Sequence, residues 1–113
     1  MAYDEDASDR FRELIDGLPG TSEKRMMGGV CFFLNGNMIG GADLAPTGRS
    51  RLMFRVGKPN VEAAEKLPHG ELLVQGGRRM TGFYFVDVET ADADTLKQWM
   101  SLAVANAMSL PEK

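Results

Sequence analysis

The sequence is short of the residues that usually carry chemistry: it holds a single cysteine and a single histidine in 113 residues. A lone Cys31 excludes an internal disulfide. With His69 as the only imidazole, a zinc shell would have to be completed by distant carboxylates, so neither a metal nor another cofactor is expected. No apolar run approaches the ~20 residues of a membrane-spanning helix. The opening Met1-Ala2-Tyr3-Asp4-Glu5-Asp6 is acidic and polar, the opposite of a secretory signal. A cytoplasmic address without a membrane partner is the economical expectation. Glycine pairs stand at 28–29, 40–41 and 76–77, but neither G-x-x-x-x-G-K-[ST] nor G-x-G-x-x-G occurs. Turn and bulge geometry therefore explains them better than a phosphate cradle.

What is present suffices for one compact domain over residues 1–113. A chain of this length buries roughly 65% of its unfolded surface and folds without disulfides or metal. The first helix is expected to start near Asp6 or Ser8, with Ala7, Phe11, Leu14, Ile15 and Leu18 as its apolar stripe, and to end at Gly17. A strand over about 26–34 meets Asn35-Gly36, the strongest two-residue hairpin signal, and a second strand returns over about 37–43. Gly40-Gly41 inside it marks a bulge or a close backbone approach. Leu52 to Val56 forms a third strand, Lys58-Pro59-Asn60 opens a short helix, and Glu71 to Gln75 forms a fourth strand. Gly76 to Thr81 reads as a loop, Gly82 to Val88 as a fifth strand. A last helix is capped by Asp92 or Asp94, with Leu96, Trp99, Met100, Ala103, Val104, Ala107 and Leu110 on its apolar stripe. Amphipathic helices need an apolar sheet to cover. The expected fold is thus α+β, a two-layer sandwich of order α-β(3)-α-β(2)-α with a five-stranded, mainly antiparallel sheet and one face left uncovered.

The net charge of −3 hides an asymmetry. Residues 1–23 carry seven acids against Arg10 and Arg12, and residues 62–113 carry eight acids against five bases. Between 24 and 61 stand six bases and one acid, Asp43. A locally basic middle can attract an anionic partner; acidic helices neutralising a basic sheet inside the fold is the other reading. Alternation in the third strand puts Leu52, Phe54 and Val56 on one face and Arg51, Met53 and Arg55 on the other. With the apolar set against the helices, Arg51 and Arg55 fall on the uncovered face, joined by Arg49, Lys58, Arg78 and Arg79. These six are the candidate binding residues, since guanidinium forks suit carboxylates and phosphates alike. Cys31, mid-strand between Val30 and Phe32, reads as a small buried hydrophobe, and His69 between Pro68 and Gly70 as an exposed turn residue. Met26, Met27, Met38, Met53 and Met80 either fill gaps in the β region or form an adaptable surface.

Three blocks carry a resemblance to a known family: Lys24 to Met38, with its K-x-M-x-G-G start, apolar strand and Asn-Gly; Leu52-Met53-Phe54-Arg55-Val56-Gly57; and Gly77-Arg78-Arg79-Met80-Thr81-Gly82-Phe83-Tyr84-Phe85-Val86. In this order they resemble the N-terminal domain of the TfoX/Sxy family, bacterial regulators of DNA-uptake competence. Met27 stands where the family usually has phenylalanine, and Arg79 where it usually has proline. The resemblance implies a secretion-chaperone-like two-layer fold and a non-enzymatic regulatory module, a transcriptional co-regulator among the options. Full-length competence regulators add a C-terminal helical domain, so this chain is read as a stand-alone first domain. A regulatory protein is the leading expected partner, followed by nucleic acid bound on the basic sheet face. A homodimer stays open, and an uncharacterised enzyme using Cys31 is the remaining alternative.

Overall fold

The computed structural model describes residues 3–26 and 28–113. Met1, Ala2 and Met27 lie outside them, and with Met27 the family's phenylalanine position. The chain runs α1 (Glu5–Leu14), β1 (Thr21–Met26), β2 (Gly29–Leu34), β3 (Asn37–Leu44), β4 (Ser50–Arg55), a 3-10 turn (Lys58–Asn60), α2 (Val61–Ala64), β5 (Gly70–Gln75), β6 (Arg78–Asp87) and α3 (Ala93–Met108). The α+β class and the uncovered sheet face agree with expectation, but the sheet has six strands, in the order β1-β2-β3-β4-β6-β5, each neighbour antiparallel. The segment expected as one strand over 26–34 divides. Ser22-Glu23-Lys24-Arg25 adds an edge strand that shows no apolar alternation. Pairing of this segment with β2 needs only backbone groups, and its side chains stay largely in solvent. The expected loop at Gly76 to Thr81 also narrows, because β6 begins at Arg78 and only Gly76-Gly77 turns the chain, both at positive φ.

Aromatic side chains hold the layers together. Phe32 of β2 stacks on Phe11 of α1 at 4.2 Å, Phe11 on Phe54 of β4 at 5.9 Å, and Phe54 on Trp99 of α3 at 6.1 Å. Tyr84 of β6 closes the series against Trp99 at 5.2 Å. Each pair contributes about 0.5–1.5 kcal/mol beyond area burial. Leu52, Phe54 and Val56 are fully buried in this core, so the expected parity of the third strand is the observed one.

Local signals place the helices with small corrections. The α1 cap is Asp4 rather than Asp6 or Ser8: its carboxylate accepts the Ala7 N–H at 2.9 Å and the Ser50 hydroxyl at 2.6 Å, tying the helix start to β4. Of the two expected α3 caps, Asp92 and Asp94, the structure selects Asp92; its carboxylate accepts the Thr95 N–H at 2.8 Å, and that bond holds the carboxyl below its ordinary range. Helix α3 ends at Met108, so Leu110 lies beyond it. Asn35 and Gly36 both adopt positive φ, 51° and 83°, as a two-residue hairpin turn requires.

Two glycines are demanded by contact. A Cβ on Gly70 would run into the Trp99 ring, whose Nε1–H donates to the Pro68 carbonyl at 3.1 Å. A Cβ on Gly40, beside the register shift between Phe32 and Phe33, would meet the Met53 carbonyl oxygen and lie 2.9 Å from Phe11 Cε2. Of the bulge or close backbone approach expected at Gly40-Gly41, both are present: the register shifts beside Gly40 and the neighbouring backbone lies against it. The Gly40→Ala substitution is predicted to destabilise the fold by about 1–3 kcal/mol, read as a lower denaturation midpoint with unchanged slope in urea.

Candidate functional site on the uncovered sheet face

Alternation along the strands gives the sheet two unlike faces. Val30, Phe32, Leu52, Phe54, Tyr84 and Val86 point into the helix-covered core. The opposite face runs in register from Lys24 through Cys31, Gly41, Met53 and Phe85 to Glu71. Next to this row stand Asp43, Arg51 and Asp87 on one side, and Arg55 with Phe83 on the other. Met53, Cys31 and Leu73 are buried by their neighbours although no helix covers them. A thin apolar layer therefore underlies the exposed charges.

The six candidate cations separate into two groups. Arg51 is spoken for: its Nε–H and Nη2–H donate to the two carboxylate oxygens of Asp43 at 2.9 and 3.2 Å, and its guanidinium lies 3.6 Å above the Phe85 ring. Asp43 is only 2% exposed, the Arg51 side chain 20%. The single acid of the basic middle segment thus neutralises one of its arginines from the neighbouring strand. Arg49 is also paired, with Asp87 and, at 3.6 Å, with Glu89. That pairing raises the Arg49 pKa and lowers that of Asp87. The partners come from within the sheet and its loops, so neutralisation by acidic helices is not how these two charges are met.

Arg55, Lys58, Arg78 and Arg79 make no ion pair among the described residues. The antiparallel register pairs Arg55 at the end of β4 with Phe83, and β6 continues back from there to the β5–β6 hairpin that carries Arg78 and Arg79. The four therefore lie toward one end of the sheet, opposite the Arg49–Asp87 end. Arg55 sits 5.9 Å from the Phe83 ring centroid, and the Gly82 carbonyl fixes the exit of β4 by accepting the Val56 and Gly57 N–H groups. Tyr84 donates its hydroxyl to Glu65 at 2.6 Å, and burial, reinforced by Glu65, pushes its pKa up to about 12; Arg79 is close enough to oppose that rise.

Phe83, Phe85 and Leu73 complete this face beside Met53, which strand alternation already places there; these three were not singled out as a surface from the sequence. The period-2 alternation of Phe83-Tyr84-Phe85-Val86 was the available signal. Two shallow concavities of about 270 and 260 Å³ adjoin there, sharing Pro46, Arg51 and Phe85. A larger groove of about 580 Å³ lies between α1 and α3 on the other side, apolar except for Lys97 and Ser101. No cluster of three metal-ligating side chains occurs among the described residues.

Cys31 and His69 do not come together. Cys31 lies on β2 and His69 at the entry to β5, with β3, β4 and β6 between them in the sheet. Burial, and then the negative charge of Asp43, pushes the Cys31 thiol up rather than down, the reverse of what a nucleophilic thiolate needs. His69 is exposed in a turn at φ 68°.

An α+β module with one helix-covered and one bare sheet face is the class these features define. The TfoX N-terminal domain model matches residues 13–107, and the chain belongs to that family. No curated protein and no solved structure matches it. Among the described residues no helix is long and apolar enough to cross a membrane.

Two outcomes test this site description. Arg51→Ala leaves Asp43 as an uncompensated buried charge and is expected to cost about 3 kcal/mol, most of which the Asp43→Asn/Arg51→Met double variant restores; urea denaturation measures both. Cys31 in the native protein is expected to react with an alkylating reagent at least about a hundredfold more slowly than in urea, because attack requires opening of the sheet.

Proposed function

We propose that the chain, folded as one domain over residues 1–113, is a non-enzymatic cytoplasmic regulatory module that captures an acidic segment of a partner protein. The observation that carries this reading is that Arg55, 5.9 Å from the Phe83 ring centroid, and Lys58, Arg78 and Arg79 lie toward one end of the sheet with no ion pair among the described residues. Guanidinium groups next to aromatic rings and an apolar floor suit carboxylate-bearing peptides, with ion pairs for orientation and ring contact for affinity. Membership of the TfoX N-terminal family supports a regulatory role, with control of DNA-uptake competence and transcriptional co-regulation as its specific form.

Arg55→Glu/Arg79→Glu is expected to abolish capture of the partner in affinity purification while leaving the circular dichroism spectrum and denaturation midpoint near wild type. Unchanged partners in that variant would refute the proposal. Arg51 is a poor probe, since its reversal would set two carboxylates against each other. The same four cations support a second reading, binding to nucleic acid. Four phosphate contacts would give a log–log salt slope of about −3.6 on duplex DNA, and a flat salt response dismisses that reading.

A further inference from the structure

The two edges of the sheet are built differently. Edge strand β1 presents Glu23, Lys24 and Arg25, and Glu23 is held by Arg12 through a two-oxygen contact at 2.9 and 2.6 Å. Charges of this kind protect an open edge from pairing with another strand. Edge strand β5 reads Gly70-Glu71-Leu72-Leu73-Val74-Gln75, with no charge after Glu71. Val74 is 58% exposed there, one of only a few large apolar side chains so exposed among the described residues. Its backbone groups pair with β6 on one side only.

The sequence of β5 is also complementary to itself. Glu71 lies opposite Phe85 and Gln75 opposite Arg78, on either side of a register irregularity at Leu73. Glu71, Leu73 and Gln75 line the two concavities beside Phe85 on the uncovered face, and Arg78, paired with Gln75, shares that face. A two-fold axis perpendicular to the sheet at Leu73 sets β5 antiparallel to β5 of a second copy, with Glu71 of each copy opposite Gln75 of the other. This register overlaps Glu71 to Gln75 fully and keeps both helical layers on one side. Arg78 stands one strand further in. Its Cα is then about 10 Å from Glu71 of the second copy, two strand spacings, within reach of a glutamate and an arginine side chain. The two-fold makes this contact twice.

We propose that β5 is a homodimerisation edge, joining two copies into a continuous twelve-stranded sheet pinned by two Glu71–Arg78 ion pairs. The inference shares Arg78 with the partner reading above but uses neither Arg55 nor Arg79, so the Arg55→Glu/Arg79→Glu variant tests that reading and Val74→Lys tests this one. It assigns Arg78, unpaired within one copy, an acid in the second. It also sets the apolar floors at Leu73 side by side across the axis, so the bare face of the pair is twice as long as that of one chain.

Sedimentation velocity across a concentration series tests it on the full chain. The expected species at high concentration has twice the 12.4 kDa mass of one chain. Val74→Lys places a charge on the exposed edge without entering the core and is expected to weaken the dimer by about tenfold or more. Glu71→Arg and Arg78→Glu are each expected to weaken it, and the double variant to restore it, because the swap re-forms the pair with its signs exchanged. A monomer at every concentration overturns the proposal and leaves the edge open to an extended segment of another protein. A dimer indifferent to Val74→Lys overturns it too, by placing the contact elsewhere, for instance in the α1–α3 groove. Failure of the double variant to recover overturns the pairing register.

Discussion

The continuous aromatic chain from Phe32 through Phe11, Phe54 and Trp99, closed by a tilted Tyr84, is the contact on which the rest of the molecule depends. It takes one ring each from β2, α1, β4, α3 and β6, so each ring pair links two different elements. Rings of this size dominate the apolar area buried in a small core. Once Phe54 is committed to the stack, the side-chain period of a strand commits Met53 and Arg55 to the opposite face. A one-residue slip of β4 would bury arginines and expose Leu52 and Phe54, which is why this register is strongly specified. The character of the bare face thus follows from how the covered face is packed.

Position along the sheet decides what each charge can do. Arg49 and Arg51 reach acids on neighbouring strands, and the buried carboxylate of Asp43 needs Arg51 as much as Arg51 is held by it. Arg55 and the hairpin arginines lie toward the other end, where no acid comes within ion-pairing distance among the described residues. Basic composition and available positive charge are therefore different quantities here. Two of the six candidate cations serve the fold, and the other four make no ion pair within one copy among the described residues.

Much of the architecture was legible in the chain. The Asn35-Gly36 turn, the stripe of α3 capped at Asp92, the alternation of β4 and the close approach at Gly40 each have a local cause that adjacent residues express. Misreadings occurred where the cause is not local. Strand β1 was missed because a solvated edge strand is held by the backbone of β2 and shows no hydrophobic period. Asp4, Asp6 and Ser8 are equally good caps by type, and only the Ser50 hydroxyl, brought up by β4, makes Asp4 the anchored one. The division of the candidate cations was invisible for the same reason, and the aromatic pair Phe83 and Phe85 went unremarked although its alternation was readable.

By itself the sequence determined which side chains alternate, where the chain must turn and that its middle third is rich in positive charge, because these depend on neighbours a few residues apart. Only the tertiary structure decided which of those charges stay free. Arg49 meets Asp87 across 38 residues and Arg51 meets Asp43 through strand register. An ion pair between strands exists only once hydrogen-bonded register has set which residues face each other, and that register is fixed by packing of the whole aromatic core.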